Sequence, residues 1–114
     1  MTQFTYIVDD DEAIRDSLSW LMQSRDIASQ TYPSAEAFLA AWDETFAGCI
    51  VLDIRMEEMS GNELFDRLNE RGCQLPVIFL TGHGDVPLAV STLKNGAFDF
   101  LEKPFNDNQL VDRV

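Results

Sequence analysis

Short apolar segments alternate with longer amphipathic segments along the whole chain, and this alternation restricts the possible fold more than any other feature. Five segments have the apolar or β-branched character of strands, and each is followed by residues in which apolar side chains recur at helical spacing. The predicted strands cover residues 4–8, 27–32, 49–52, 76–80 and 98–101. Five repeats of strand and helix predict an α/β fold, a doubly wound parallel sheet with helices on both faces.

Helix boundaries and packing faces can also be predicted. Asp11 is placed to cap the first helix. Pro33-Ser34 is expected to end the second strand and start the second helix, which is expected to run to about residue 44. Glycines are expected to end the third and fourth helices, and Asn106 with Gln109 resembles a capping box for the last. We expect Arg15 to face solvent and Trp20 and Trp42 to pack inward, as do the apolar residues of the fourth helix: Val86, Ala89, Val90 and Leu93.

Length, charge and cysteine content exclude several classes of protein. The 114 residues fit one compact domain, and their net charge of −12 makes direct contact with nucleic acid or an anionic membrane unfavourable. Cys49 and Cys73 lie far apart without metal-binding or disulfide spacing, so we expect reduced, structural cysteines. No apolar run is long enough to span a membrane and no secretory pattern opens the chain, so we expect a cytoplasmic protein.

Polar side chains follow four of the predicted strands. Asp9 and Asp10 follow the first, Asp53 the third and Thr81 the fourth, and Lys103 comes just after the fifth. Because the carboxyl ends of parallel strands meet at one edge of a sheet, these side chains are expected to converge. Clustered carboxylates repel one another unless a cation is present, and hard oxygen ligands suit Mg²⁺ (or Mn²⁺). A carboxylate beside such a cation and a lysine is suited to accept a phosphoryl group.

These residues resemble the receiver domain of two-component response regulators over essentially the whole chain. The matching motifs are Val8-Asp9-Asp10-Asp11, Asp53 after Ile50-Val51-Leu52, Gly61, Thr81-Gly82 and Lys103-Pro104-Phe105. Residues 81–87 and 98–105 are most similar to the FixJ-type branch, whose members usually carry a C-terminal helix-turn-helix DNA-binding domain. The resemblance implies a flavodoxin-like sheet with strand order 2-1-3-4-5. It also implies that residues 1–114 form a receiver domain whose last helix is truncated, with a DNA-binding output domain beyond Val114.

The resemblance further implies a role for each residue at the acidic edge. Asp53 would accept the phosphoryl group from a sensor histidine kinase or a small phosphodonor. Asp10, Asp53 and the backbone carbonyl of Arg55 would bind Mg²⁺ directly, and Asp9 would act through a metal-bound water. Lys103 would pair first with the carboxylate and then with the phosphoryl oxygens.

A switch is implied as well. Thr81 would move to hydrogen-bond the phosphate, and Phe100, at the aromatic switch position, would then turn inward. That movement would remodel the surface of the fourth helix and fifth strand, where such domains dimerise or contact their own output domain. A domain of this kind catalyses only its own phosphorylation and dephosphorylation and is not a metabolic enzyme.

The sequence departs from the family pattern at Glu57, because the family commonly has proline after the residue matching Met56. Arg55 and His83 match positions that tune the lifetime of the phosphoryl group. Three other interpretations are weaker. A haloacid-dehalogenase-like phosphatase needs an aspartate where Arg55 stands, and a flavodoxin-like nucleotide binder needs a glycine-rich loop after the first strand. A receiver-like interaction module that works without phosphorylation usually lacks the acceptor, an acidic ligand or the lysine, and all three are present here.

Overall fold

The computed structural model describes residues 3–56, 59–82, 86–102 and 107–113. Strands and helices alternate along the chain as the sequence predicts. The elements are β1 (Phe4–Val8), α1 (Glu12–Ser24), β2 (Ser29–Tyr32), α2 (Ala35–Ala41), β3 (Gly48–Asp53), α3 (Gly61–Glu70), β4 (Val77–Thr81), α4 (Val86–Lys94), β5 (Asp99–Glu102) and α5 (Asp107–Arg113).

The five strands form one sheet of order β2-β1-β3-β4-β5, and every neighbouring pair is parallel. Alternate residues of each central strand point to opposite faces of the sheet. Ile7, Val51 and Leu80 pack with α1 and α5, whereas Val8, Leu52 and Phe79 pack with α2, α3 and α4. The prediction of a doubly wound sheet with this strand order is therefore confirmed.

The predicted helix starts are confirmed where the structure describes them. The Asp11 carboxylate accepts hydrogen bonds from the amides of Ala13 and Ile14, and the Ser34 hydroxyl accepts one from Ala37. These caps satisfy amides that have no partner inside the helix. Asn106, the predicted cap of α5, lies outside the described residues.

Three helices end in the same hydrogen-bonding motif, and this motif explains one wrong strand boundary. After α1, Asp26 has a positive φ of 59° and the Ile27 amide donates to the Met22 carbonyl at 2.9 Å. This is a Schellman motif, so Ile27 belongs to the helix end and β2 begins only at Ser29. The ends of α3 and α4 use Gly72 and Gly96 in the same place, as the sequence predicts.

The predicted end of α2, two packing assignments and the start of the fifth strand are wrong. The helix ends at Ala41, and beyond it the Asp43 carboxylate accepts hydrogen bonds from the amide and hydroxyl of Thr45, which favours a turn over another helical turn. Trp20 is 69% exposed on α1 and Val90 is 40% exposed on α4. Phe98 lies before β5 and is 59% exposed.

Thr92 occupies the buried face of α4 instead of Val90, since its hydroxyl donates to the Ala89 carbonyl at 2.6 Å and is satisfied inside the core. Apolar residues cover most of α4, so hydrophobicity alone does not identify its buried side.

Candidate functional site

Three carboxylates converge at the carboxyl edge of the sheet. β1 and β3 pair in parallel with Val8 opposite Leu52, so the residues that follow them are neighbours. One carboxylate oxygen from each of Asp9, Asp10 and Asp53 lies within 4.8 Å of the other two. Asp9 and Asp53 are only 1% and 7% exposed, whereas Asp10 is exposed to solvent. The sequence prediction that these three residues meet is confirmed.

The loop between β1 and α1 holds Asp9 from two sides. The Asp9 carboxylate accepts a hydrogen bond of 2.9 Å from the Asp11 amide, and the Asp9 carbonyl accepts one of 2.8 Å from Nη1 of Arg15. Arg15 is half-buried, so the prediction that it faces solvent is wrong. Its guanidinium reaches back over the first turn of α1 and brings a positive charge to the acidic loop. Helical periodicity places Arg15 on the solvent side of α1, so its nearness in sequence to three aspartates does not by itself specify this contact.

The loop after Asp53 is closed by backbone hydrogen bonds. The Ile54 amide donates to the Leu80 carbonyl at 3.1 Å, and the Gly61 amide donates to the Ile54 carbonyl at 2.8 Å. A Cβ atom at Gly61 would lie 2.9 Å from Cα of Ile54 and still closer to the carbonyl oxygen of Asp53. The glycine predicted to close this loop therefore does so because only hydrogen fits there. Arg55, whose carbonyl is the predicted metal ligand, lies inside this closed loop and its side chain is exposed.

Thr81 and Phe100 lie on the same face of the sheet, on adjacent strands. Phe79 is opposite Phe100 and Thr81 is opposite Glu102 in the parallel register, so Thr81 and Phe100 are offset by one step along that face. Thr81 is fully buried and its hydroxyl donates to the Gly82 carbonyl at 3.1 Å. Phe100 is half-buried against the core beneath α2, α3 and α4. The register therefore makes Thr81 and Phe100 diagonal neighbours on one face of the sheet.

Lys103, Glu57 and His83 lie outside the described residues. Lys103 directly follows Glu102, which pairs with Thr81 at the end of β5. The predicted roles of these three residues stay predictions.

A cleft of about 480 Å³ opens beside the acidic cluster. It exposes part of the cluster and the loop after Asp53 to solvent. Among the described residues, its lining includes Asp10, Ile54, Arg55, Met56, Ser60, Asn62 and Leu88.

The chemistry of the cluster fits a small hard cation. The donors within the described part of the chain are carboxylate oxygens, which suit Mg²⁺, and two of the three carboxylates are largely removed from water. Burying like charges this close is unfavourable unless a positive charge offsets them. Arg15 supplies one positive charge through its hydrogen bond to the Asp9 carbonyl, and a divalent cation would supply the remaining positive charge.

Comparison with known proteins agrees with this geometry. The response regulator receiver domain family matches the chain over residues 5–114. The chain belongs to this family. Receiver domains are signalling modules, and the similarity to the FixJ branch predicted from the sequence is confirmed by the relatives and structures below.

Two relatives illustrate the similarity. The C4-dicarboxylate transport transcriptional regulatory protein DctR of Rhodobacter capsulatus is 56% identical over 114 residues, which cover 98% of this chain and 58% of that protein. The transcriptional regulatory protein FixJ of Azorhizobium caulinodans is 50% identical over 109 residues, which cover 96% of this chain and 52% of that protein. The receiver domain thus spans little more than half the length of these curated relatives.

Solved structures show the same fold. The crystal structure of FixJ-N has a TM-score of 0.92 at 42% identity, covering 99% of this chain and 90% of that one. Full-length FixJ from B. japonicum has a TM-score of 0.93 at 43% identity, covering 100% of this chain and 57% of that one. No helix in the described part of the receiver domain combines the length and apolar character needed to cross a membrane.

Proposed function

We propose that Asp53 is the phosphoacceptor of this receiver domain and that a sensor histidine kinase is its phosphodonor. The observation that carries the proposal is the convergence of the Asp9, Asp10 and Asp53 carboxylates within 4.8 Å, with Asp53 only 7% exposed at the end of β3. A carboxylate held at a strand end beside a cleft can be approached by a phosphorylated partner from one direction. The same carboxylate is shielded from most of the surrounding water.

The reaction forms one bond and breaks another. A carboxylate oxygen of Asp53 attacks the phosphorus of a phosphohistidine, an O–P bond forms, and the P–N bond breaks with its electron pair returning to the imidazole. Later attack by water releases inorganic phosphate and restores the carboxylate. The domain therefore catalyses only its own phosphorylation and dephosphorylation, as a signal receiver with no external substrate.

The acidic cluster would hold Mg²⁺ (or Mn²⁺) through Asp10, Asp53 and the Arg55 carbonyl, with Asp9 acting through a metal-bound water. When bound, the cation neutralises charge on the carboxylate and on the transferring phosphoryl group. Lys103 would supply a second positive charge from the end of β5. Arg15 orients the carbonyl of Asp9 and lies outside this set.

Phosphorylation would change the positions of the Thr81 and Phe100 side chains. In the structure, the Thr81 hydroxyl donates to its neighbour Gly82. Exchange of that bond for one to a phosphoryl oxygen would draw Thr81 toward Asp53 and free space on the face shared with Phe100. The movement would change the surface of α4 and β5, where Leu88 and Val90 already expose apolar area at 37% and 40%.

That surface would mediate a phosphorylation-dependent dimer and contact with an output domain in a longer protein. The DctR and FixJ relatives are named as transcriptional regulators and are nearly twice the length of this chain, which supports a C-terminal DNA-binding domain as the output. The receiver domain has a net charge of −12 and therefore repels the phosphates of DNA. Contact with DNA would be made by the output domain. Both domains would operate in the cytoplasm, without contact to a membrane.

Incubation with acetyl phosphate and Mg²⁺, followed by intact-mass measurement, tests the proposal. We expect the wild-type chain to gain one phosphoryl group, and we expect no gain in Asp53→Asn or in the presence of excess EDTA. Asp66→Asn is the matched control, because Asp66 is exposed on α3 and the change alters net charge equally. A wild-type chain that stays unmodified, or an Asp53→Asn variant that gains mass, would contradict the proposal and favour an interaction module that works without phosphorylation.

A further inference from the structure

The loop that follows Asp53 is held at a point between its two ends. Its ends are fixed by the bonds of Ile54 to Leu80 and of Gly61 to Ile54. Between them, the Met59 amide donates a hydrogen bond of 3.2 Å to Oε1 of Glu36. Glu36 belongs to the first turn of α2, 23 residues earlier in the chain, so this bond joins the loop to a separate helix.

Glu36 is well anchored. Ala35 and Phe38, which lie on either side of Glu36 in the same helix, are fully buried. Ser34 caps the N-terminal end of this helix. A negatively charged side chain in the first turn of a helix interacts favourably with the helix dipole. A hydrogen bond to an ionised carboxylate is stronger than one between neutral groups. The acceptor offered to Met59 is therefore a charged oxygen on a rigid element.

The sequence of the loop contains no residue that fixes its backbone. Residues 54–60 include no proline, so no φ there is set by a pyrrolidine ring. Met56 and Met59 are only partly buried against the core. A hydrogen bond from outside the loop is then an effective means of restricting its backbone, because it removes conformations that the sequence itself allows.

We propose that Glu36 is a positioning residue that holds the loop carrying the Arg55 carbonyl in the conformation needed for cation binding beside Asp53. Glu36 acts through the backbone of Met59, and its carboxylate is a separate group from the Asp9, Asp10 and Asp53 cluster. The proposal rests on the proposed function for its consequence, whereas the hydrogen bond between Met59 and Glu36 is observed directly.

Three variants separate the hydrogen bond from other effects. Glu36→Ala removes the acceptor, whereas Glu36→Gln keeps an amide oxygen at the same place and loses only the charge. Glu70→Ala is the matched control, because Glu70 is an exposed glutamate on α3 and its replacement changes net charge by the same amount. Each variant is compared with wild type by hydrogen exchange at the Met59 amide without metal, and by calorimetric titration with Mg²⁺.

We expect Glu36→Ala to speed exchange of the Met59 amide by about tenfold, as loss of a bond to a charged acceptor predicts. We expect the same variant to weaken Mg²⁺ binding by roughly threefold to tenfold, because the looser loop must be ordered on binding. Glu36→Gln should stay closer to wild type than to Glu36→Ala in both measurements, and Glu70→Ala should match wild type.

The proposal is overturned if Glu36→Ala matches wild type in Met59 exchange, or if it exchanges faster but binds Mg²⁺ as tightly as wild type. It is also overturned if Glu36→Gln is as impaired as Glu36→Ala. Failure of the proposed function has a different signature, since a wild-type chain that gains no phosphoryl mass contradicts the role of Asp53. Normal phosphorylation of wild type with an unaffected Glu36→Ala variant contradicts the role of Glu36 alone.

Discussion

Gly61 packs its α-carbon directly against the backbone carbonyl of Asp53. The contact leaves no room for a Cβ atom, and the Gly61 amide closes the loop by bonding to the next carbonyl, that of Ile54, at 2.8 Å. The first residue of α3 is therefore in contact with the proposed phosphoacceptor. Any displacement of α3 along its axis changes the loop that lies between Asp53 and the helix.

Replacement of Gly61 by alanine should destabilise the fold and impair the site together. The added methyl group meets backbone atoms of Asp53 and Ile54 that have no rotamer in which to yield, so we expect a loss of about 1–3 kcal/mol in the free energy of unfolding. Urea denaturation measures that loss, and acetyl phosphate labelling of the remaining folded protein should be slower.

Gly72→Ala is the control for this prediction. Gly72 has a positive φ of 79° and open space around it, so alanine there is strained by about 1 kcal/mol without touching the site. Equal labelling rates for the two variants would contradict a specific effect of Gly61 on the loop after Asp53.

Mg²⁺ should stabilise the folded domain, and the stabilisation should depend on Asp10. At a concentration ten times the dissociation constant, binding to the folded state alone raises the free energy of unfolding by about 1.4 kcal/mol. Asp10→Asn should lose most of this increment and be more stable than wild type without metal, because one of three clustered negative charges is removed. Thermal unfolding with Mg²⁺ and with EDTA measures both effects. An Asp10→Asn variant that gains as much as wild type from Mg²⁺ would contradict the ligand assignment.

Arg15 should contribute to the stability of the β1–α1 loop. Its guanidinium donates to the Asp9 carbonyl at 2.8 Å in a half-buried setting, so Arg15→Ala should lower the free energy of unfolding by about 1 kcal/mol. Arg15→Lys should recover part of the loss, since an ammonium can reach the carbonyl with fewer donors. Arg67→Ala, an exposed change on α3, is expected to cost less than about 0.5 kcal/mol. Equal unfolding free energies for Arg15→Ala and Arg67→Ala would contradict this role.

Self-association should depend on Thr81 once the acceptor is occupied by a phosphate mimic. We expect beryllofluoride to increase the mass of wild type toward that of a dimer in light scattering. Thr81→Ala should bind the mimic yet stay monomeric, because it lacks the hydroxyl that we propose couples the site to the face shared with Phe100. Thr45→Ala, in the exposed turn after α2, is the control and should dimerise. Dimerisation of Thr81→Ala would contradict the proposed coupling.

The alternation of strand and helix patterns predicted the doubly wound sheet, and the resemblance to receiver domains implied its strand order. The meeting of Asp9, Asp10 and Asp53 was predicted because the carboxyl ends of parallel strands lie at one edge of a sheet. It did not predict contacts made by long side chains across elements. Arg15 has the helical position of a solvent residue, and only the path of the chain before α1 shows that its guanidinium returns to Asp9. The bond between Glu36 and Met59 likewise depends on how α2 sits beside the loop.

The wrong start of the second strand and the wrong buried side of α4 have a similar cause. Ile27 has the composition of a strand residue, but its amide is taken by the Schellman motif at the end of α1. Val90 was expected inside because it is apolar, yet a threonine whose hydroxyl is satisfied by its own helix is buried instead. In both places, hydrogen bonding of the backbone or a hydroxyl decided the outcome and hydrophobicity did not.

The two cysteines should react slowly with alkylating reagents in the folded state. Burial raises the pKa of the Cys49 thiol, against the opposing effect of a hydrogen bond with Thr5. Burial also raises the pKa of the Cys73 thiol, against the opposing effects of hydrogen bonds with the Leu75 backbone and the Trp42 side chain. A raised pKa means that less thiolate is present at pH 8 than in the unfolded chain, where the thiol pKa is about 8.5. We expect slower iodoacetamide labelling in buffer than in urea, measured by intact mass. Equal rates would contradict the predicted burial effect.

The same shift predicts how stability varies with alkaline pH. The folded state holds the thiol protons more tightly than the unfolded state, so this contribution is complete below the unfolded pKa and is lost as pH rises through the folded pKa. The free energy of unfolding should therefore fall as the pH rises above about 8.5. Burial also raises the pKa of Tyr32, which gives a decline of the same sign. A Cys49→Ala, Cys73→Ala double variant keeps the tyrosine and should show a shallower decline than wild type in urea denaturation across this range. Identical slopes for the two proteins would assign the alkaline loss of stability to groups other than the thiols.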